Sequence, residues 1–567
     1  MKRIYSKDSI GEVDTPLPWA VWVAERYGLV NRWLEGAIVL DPTMGEGNLL
    51  EALLYGGARR GIPPDRLPTT TLYGIERQGE KLERFLKRIQ DRYKLELPRG
   101  NFLEADILLD GIDSIRTPVS LTDAASGKAA CQDTSSPNMI PSVDILFGNP
   151  PWITFASLPQ AYKNQIRELF LRYSLVPTKN QALLGRSRVD LSALIVLVAI
   201  SRFLRPGGEA VFFLPLSLFY GEGAGEGFRR FRSGNTPFHV RELVELPMEK
   251  VFPGISTRGG VVYVKRDEEQ RFPVRVLRLR NESRLSESVY AIGESLYQGT
   301  AGALAEDSGR LNHWVQYEEK VFWKASPIDG PESSWILYQG AHPFPEGLPR
   351  IPLPEESFPR QGINTCGGNE LFFFDLVEKE EEGVWRVANS TLTCLLPSAY
   401  LFPLITSESF QEHTPLPHKW VFLPYREDGH PLSPRHVEED PLLKQFLCQH
   451  EERLRARKGV LIQQWIRKGY FWALLGVGAY CFYPWKVVWE AAGRKKFRPR
   501  IWEGKWQANQ SLHGYLPFRS LQEATRVLES LQDPRIEAYL LVLQAQGTLN
   551  WAQPGRMRRL FTSASET

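Results

Sequence analysis

The stretch AIVLDPTMGEGNLLEALLY (Ala37 to Tyr55) runs an apolar strand into a glycine-containing turn and then into a helix. Ala37 to Pro42 reads as a buried strand with Asp41 at its end, and Asn48 to Tyr55 reads as the helix that follows. Gly45 and Gly47 between them let backbone come close to a ligand at the helix start. Moving outward, TLYGIE (Thr71 to Glu76) predicts a second strand followed by a helix over Glu80 to Tyr93, and NFLEADIL holds what reads as a third strand ending at Asp106. DILFGNPPW (Asp144 to Trp152) predicts a strand leading into a rigid turn. A helix over Leu191 to Leu204, a Pro-Gly-Gly break and the strand EAVFFLP (Glu209 to Pro215) come next, and VRELVEL and GGVVYVK close the series at seven strands. Short apolar strands alternating with amphipathic helices up to about Arg266 predict an α/β, Rossmann-like domain whose parallel sheet is covered on both faces. Asp110 to Ser142, small and polar, reads as an insertion loop.

The turn and the strand ends carry a chemical pattern. Glu76 stands thirty-five positions after Asp41, at a strand end where a carboxylate can accept from both hydroxyls of a ribose. Asp41, Glu76 and Asp106, placed around Pro42, Gly45 and Gly47, describe a nucleoside pocket at the carboxyl edge of the sheet. Acidic groups beside the turn disfavour a pyrophosphate, so a phosphate-free nucleoside with a cationic centre, S-adenosyl-L-methionine, fits better than NAD. Two plainer readings stand beside this: turns need glycine anyway, and Asp106 could be a solvated strand-end charge. In GNPPW (Gly148 to Trp152) two prolines fix the backbone and offer no N–H. The Pro150 carbonyl and the Asn149 side chain can then aim at one planar amine, while Trp152 supplies a face on which a base can stack. The plainer alternative is a tight turn with a buried tryptophan.

In order and spacing these blocks resemble the gamma class of N6-adenine DNA methyltransferases, in which the cofactor motifs precede the catalytic NPP-aromatic turn. The resemblance takes in DTP (Asp14 to Pro16), DPTMGEGN, Glu76, Asp106, NPPW, DLSALIVLVAISRFLRPGGEAVFFLPLSLF (Asp190 to Phe219) and KVFPGISTRGGVVYVKR (Lys250 to Arg266). It implies a methyltransferase of adenine N6 acting on double-stranded DNA with a flipped base, with Thr15 beside the methionine moiety of the cofactor and Phe252 as a second aromatic contact to the base. It also implies that Asp190 lies near the cofactor, although an Asp before LSAL is equally a helix N-cap. FPRQGINTCGGNELFFFD (Phe358 to Asp375) resembles the signature that opens the family's target-recognition domain. A restriction endonuclease or defence-system proteins as partners are part of the same implication. Trp152 stands where many relatives carry Tyr or Phe.

Beyond Arg266 the alternation fades. The expected organisation is a catalytic domain over 1–266, a connector over 267–340 and a mixed α/β target-recognition domain over 341–567. Glu451 to Arg500 holds twelve basic residues against three acidic ones, interleaved with Trp465, Trp472, Trp485 and Trp489. This is a candidate DNA surface, with Arg494, Lys495, Lys496 and Arg498 as the residues expected to contact DNA; a solvated charged face is the alternative.

Composition narrows the class. The 567 residues carry 69 basic and 66 acidic side chains, so a nucleic-acid surface has to come from local clustering. Five widely spaced cysteines with no C-x-x-C pair, and nine histidines without ligand spacing, point to no disulfide framework and no metal. A charged amino-terminus without an apolar run and the lack of a long apolar span predict a cytoplasmic protein with no membrane association. Rival functions are methylation of guanine N2 in RNA or of a protein glutamine, and a noncatalytic DNA-binding defence subunit. A fused nuclease is not expected, since the cofactor motifs begin at residue 14 and no nuclease motif is seen downstream.

Overall fold

The computed structural model describes residues 14–110, 140–176, 189–221, 225–252, 255, 257–279, 322–354, 356–412, 416–491, 496–510, 513–543 and 552–563. Most of the expected insertion loop therefore lies outside the described residues. The chain divides into two compact units, Met1–Ala341 and His342–Thr567.

Unit 1 is built on one sheet. Its strands are β1 (Val39–Asp41), β2 (Leu72–Glu76), β3 (Phe102–Glu104), β4 (Val143–Gly148), β5 (Leu204–Pro215), β6 (Arg232–Ser233), β7 (Thr236–Glu245), β8 (Gly259–Arg266), β9 (Val274–Arg278), β10 (Phe322–Pro327) and β11 (Trp335–Tyr338). They lie in the order β3-β2-β1-β4-β5-β8-β7-β9-β10-β11, with β6 paired to β7. The five strands β1 to β5 are parallel, β8 runs against both of its neighbours, and β7 and β9 are parallel to each other. The order turns back between β1 and β4, which makes that point of the carboxyl edge a topological switch where a crevice opens.

Helices α1 (Leu17–Arg26), α2 (Leu29–Leu34), α3 (Asn48–Arg59) and α4 (Gly79–Tyr93) pack one face, and α5 (Gln160–Arg172) and α6 (Leu191–Arg202) pack the other. The sequence produces this through strict alternation. Val39, Ile145, Phe147, Val211 and Phe213 enter the first core, while Leu40, Leu146, Ala210, Phe212 and Leu214 enter the second. Helix α6 is apolar all round and buried along nearly its full length, as a helix under a central strand requires.

Three expectations change. Among the described residues the sheet has eleven strands instead of seven, because β9, β10 and β11 from the region read as a connector pair onto its edge. The Pro-Gly-Gly break lies inside β5: five positions from Leu204 to Glu209 stand opposite two from Val143 to Ile145, so the extra residues form a bulge. Asp106 lies two residues past the end of β3.

Unit 2 is mixed α/β and built from small sheets. Ile351–Leu353 pairs with Phe561–Ser563, and a four-stranded sheet runs Arg360–Gln361, His513–Phe518, Trp485–Glu490, Arg500–Glu503. Two three-stranded sheets pack with helices that include Pro441–Gln449, Val460–Arg467 and Leu521–Leu531. Asp440 and Ser520 cap the first and last of these helices with their side chains.

Candidate active site

Parallel pairing brings the ends of β1, β2, β3 and β4 to one edge. Asp41 is fully buried there; its Oδ1 accepts from the Thr43 N–H at 3.1 Å, and Oδ2 has no hydrogen-bond partner among the described residues. Burial pushes its carboxyl up to about 8, and the nearby Glu76 adds to the rise. Glu76 accepts from two backbone N–H groups, Gly45 at 3.0 Å and Gln78 at 2.8 Å, so it ties the glycine turn to the neighbouring strand. Gly47 sits at φ 77° and starts α3, and a Cβ there would overlap the Phe85 ring. Asp106 is not a solvated charge: it is 8% exposed and accepts from the Leu108 N–H at 2.9 Å and the Tyr162 hydroxyl at 3.0 Å.

The turn after β4 closes the site. Asn149 Nδ2 donates to Thr15 Oγ1 at 2.9 Å, and Asn48 Nδ2 donates to the Thr15 carbonyl at 2.8 Å. Thr15, expected at the cofactor, thus also holds the Asn149 amide. Thr15, Asp41, Asn48 and Asn149 share one lobe, and a larger lobe, open to solvent, extends past Pro42, Glu76, Asp106 and Tyr162. The two lobes share Asp14, Thr43, Gly45 and Asn149. Pro150 is buried and Trp152 is half-buried. The Trp152 indole N–H donates to the Phe213 carbonyl at 3.3 Å, and a Cβ on Gly259 would overlap its ring.

Two expected roles shift. Phe252 is 2% exposed and meets Trp152 edge-on, with ring centroids 5.3 Å apart and planes at 78°. It buttresses the indole and presents no open face to a base. Asp190 is the N-cap of α6, accepting from the Ser192 N–H at 2.9 Å and the Ser192 hydroxyl at 2.6 Å, and burial raises its carboxyl to about 6. Leu191 and Ile195, not Asp190, reach the larger lobe. Lys81 and Tyr162 line that lobe without having been singled out in the sequence. Lys81, 2% exposed on the first turn of α4, had a signal in its position just after the Glu76 strand end; Tyr162 had none, since its partner lies fifty-six positions away.

In unit 2, Lys496 and Arg498 are exposed and make no ion pair among the described residues, whereas Arg494 and Lys495 lie outside the described residues. The rest of the basic stretch is not one surface. Arg457 is buried and donates to the carbonyls of Leu454, Thr365 and Phe471 at 3.0, 3.1 and 2.6 Å. Lys486 is fully buried, donates to the Tyr483 carbonyl at 2.9 Å, and is pushed down to about 8 by burial. Trp472 and Trp489 are core residues. No group of three or more His, Cys, Asp or Glu that could hold a metal occurs among the described residues, and no helix among them is long and apolar enough to cross a membrane.

No protein-family model and no curated protein matches the chain. Among solved structures it is similar to the Type IIL restriction-modification enzyme MmeI in complex with DNA, at 13% identity over 88% of this chain and 60% of that one, with a TM-score of 0.48. It is also similar to the type IIG restriction endonuclease BpuSI (14% identity, 92% of this chain and 55% of that one, TM-score 0.37). A third is the M protein of the Type I restriction enzyme EcoKI (12% identity, 48% of this chain and 50% of that one, TM-score 0.29). The chain spans between half and three fifths of these proteins' lengths. At such scores the site's own geometry, not the likeness, carries the chemistry.

Proposed function

We propose that unit 1 is a DNA methyltransferase that moves a methyl group from S-adenosyl-L-methionine to the N6 amine of an adenine extruded from double-stranded DNA, and that unit 2 grips the DNA and selects the site. A restriction-modification or phage-defence setting, with a separate endonuclease or defence proteins, goes with this reading. The observation that carries it is the Asn149–Thr15 hydrogen bond at the switch point of the sheet, beside the unpartnered, buried Asp41 Oδ2.

The residues present fit the cofactor. A buried carboxylate oxygen without a partner favours a cation, and the crowded backbone at Gly45, where a Cβ would come within 3.3 Å of Asp14 Oδ1, leaves a close approach to the turn. Asp41 and Thr15 would hold the methionine end, and Glu76 and Asp106 the ribose and base; when bound, the cofactor supplies an electrophilic methyl group. The chain's own part is orientation. Because Nδ2 of Asn149 is committed to Thr15, Oδ1 is turned away from it and can accept one hydrogen of the target amine, while the Pro150 carbonyl takes the other. Two acceptors on one planar amine favour a pyramidal nitrogen with its lone pair directed at the methyl donor. No strong base is required, because a methylated, positively charged ring amine loses its proton readily to water. Trp152, fixed through its N–H to β5, offers the stacking face.

The test is Asn149→Ala, assayed by methyl transfer to duplex DNA and by calorimetry with S-adenosyl-L-methionine. Transfer should be lost while cofactor affinity stays near that of the parent protein; turnover within about tenfold of the parent would remove Asn149 from the chemistry.

A further inference from the structure

A second cavity lies wholly within unit 2. It is open to solvent on one side, holds about 330 Å³, and is walled by Leu353, Phe358, Arg360, Arg558, Phe561 and Thr562. Its frame is the parallel pair Ile351–Leu353 and Phe561–Ser563 together with the edge strand Arg360–Gln361. Among the described residues that line it none is acidic.

Its two arginines differ from most others in the chain. Arg519 is bonded to Glu356 at 2.9 Å and Arg535 to Asp533 at 2.6 Å, whereas the side chains of Arg360 and Arg558 make no ion pair or hydrogen bond to a described residue. Arg360 lies over the Tyr480 ring at 4.3 Å, which fixes its guanidinium without satisfying its N–H groups, and its Nε is buried without a partner. The Thr562 hydroxyl is likewise buried without a partner. Two guanidiniums around one cavity repel each other, and the buried Arg360 Nε and Thr562 hydroxyl cost free energy while they lack acceptors; an anion that accepts from both forks and from the hydroxyl relieves both. A phosphate offers the several oxygens this donor set asks for. Phe358 is 45% exposed, an apolar ring where a base can stack, and the cavity has the size of a small-molecule site and not merely of an inorganic ion.

We infer that this cavity binds a nucleoside phosphate, with the phosphate on Arg360, Arg558 and Thr562 and the base on Phe358. Its source is either a free nucleotide or one unit of a DNA strand, and neither depends on methyl transfer at the site in unit 1.

The experiment uses the full chain and two variants at exposed positions, Arg558→Gln and Phe358→Ala, with folding checked by thermal melting. The probes are deoxyadenosine monophosphate, inorganic phosphate and deoxyadenosine by calorimetry, and a duplex of about 20 base pairs by fluorescence anisotropy over a salt series. If the ligand is a free nucleotide, deoxyadenosine monophosphate binds more tightly than phosphate, deoxyadenosine competes only weakly, Phe358→Ala brings nucleotide affinity down toward that of phosphate, and Arg558→Gln weakens binding by about tenfold. If it is a strand, duplex affinity falls by about tenfold in Arg558→Gln with a salt slope flatter by about one, and Phe358→Ala weakens binding with the slope unchanged. If both variants fold and bind every probe as the parent chain does, the inference is overturned.

Discussion

At the carboxyl edge of the sheet in unit 1, Thr15, Asp41, Glu76, Asp106 and Asn149 come from well-separated parts of the chain and share a continuous pair of lobes. The stretch Glu451 to Arg500 in unit 2 does the reverse: twelve basic residues stand within fifty positions, and the fold disperses the described ones between core and surface. Parallel strands all deliver their last residues to the same edge, so topology concentrates chemistry there. A local run of charge has no such organiser. Arg457 and Lys486 are absorbed by backbone carbonyls, whereas Lys496 and Arg498 face solvent.

The strongest way to break the comparison is at Asn149. If the carboxyl edge is the site of chemistry, Asn149→Ala should lower methyl transfer by about a hundredfold or more, with cofactor affinity changed by less than about threefold. A parallel fall in both would mean that the residue shapes the pocket and not the reaction. Next in size is Asp41→Asn. The folded carboxyl is held near 8, so in the ligand-free protein it is neutral below that pH, and a cationic ligand must drive out its proton. Cofactor affinity should therefore rise with pH from about 6 to 8 and level off above, while Asp41→Asn binds about ten- to a hundredfold more weakly at pH 8 and loses this pH dependence. The linked stability has the opposite sense. A carboxyl whose folded value is raised above its unfolded one destabilises the fold as pH climbs from the unfolded value through the folded one, so ligand-free Asp41→Asn should gain melting temperature relative to the parent as pH rises from about 4 to 8. A melting difference that does not change over that range would place the charge elsewhere.

The same comparison explains what could be read in advance. The strands β1, β2, β4 and β5, the glycine turn and the NPPW turn announce themselves through apolar runs broken by Gly and Pro, which are local signals. The strands β9 to β11 were missed because they are short and belong to the sheet only through pairing with distant partners; VRVLR alternates charge with apolar residues and reads equally as a surface loop. The Thr15–Asn149 bond spans 134 positions, and nothing local to either residue encodes it. In unit 2, counting charges failed for a physical reason: Lys486, Val487, Val488 and Trp489 are all fully buried, so this strand is covered on both faces and its lysine is in the core whatever its charge. Phe252 illustrates the same limit, since an aromatic near the site was legible but its edge-on packing was not.

Arg457 gives a prediction of intermediate size that sharpens the contrast. Its guanidinium satisfies three buried carbonyls and lies over the Phe372 ring at 5.6 Å, so Arg457→Met should cost about 2 to 4 kcal/mol of stability by leaving those acceptors without a donor. Denaturant unfolding measures it. A variant as stable as the parent, with DNA affinity reduced, would return Arg457 to the DNA surface.

The smallest effect is expected at Lys496 and Arg498, and it decides whether the dispersed stretch still keeps a DNA-binding remnant. Both are exposed and neither is paired to a carboxylate among the described residues, so removing either leaves no buried charge uncompensated and should change stability by no more than about 0.5 kcal/mol. If each neutralises a phosphate, Lys496→Ala and Arg498→Ala should each weaken binding to specific and unrelated duplexes alike, and each should flatten the log–log salt dependence by about one. The two losses should add in the double variant if each residue meets its own phosphate, because counterion release counts contacts. A slope that stays at the parent value in all three proteins would mean that this end of the stretch is a solvated face. A loss confined to the preferred sequence, with the slope kept, would instead set Lys496 or Arg498 against a base edge, and selection of the site would then reside where only affinity is expected.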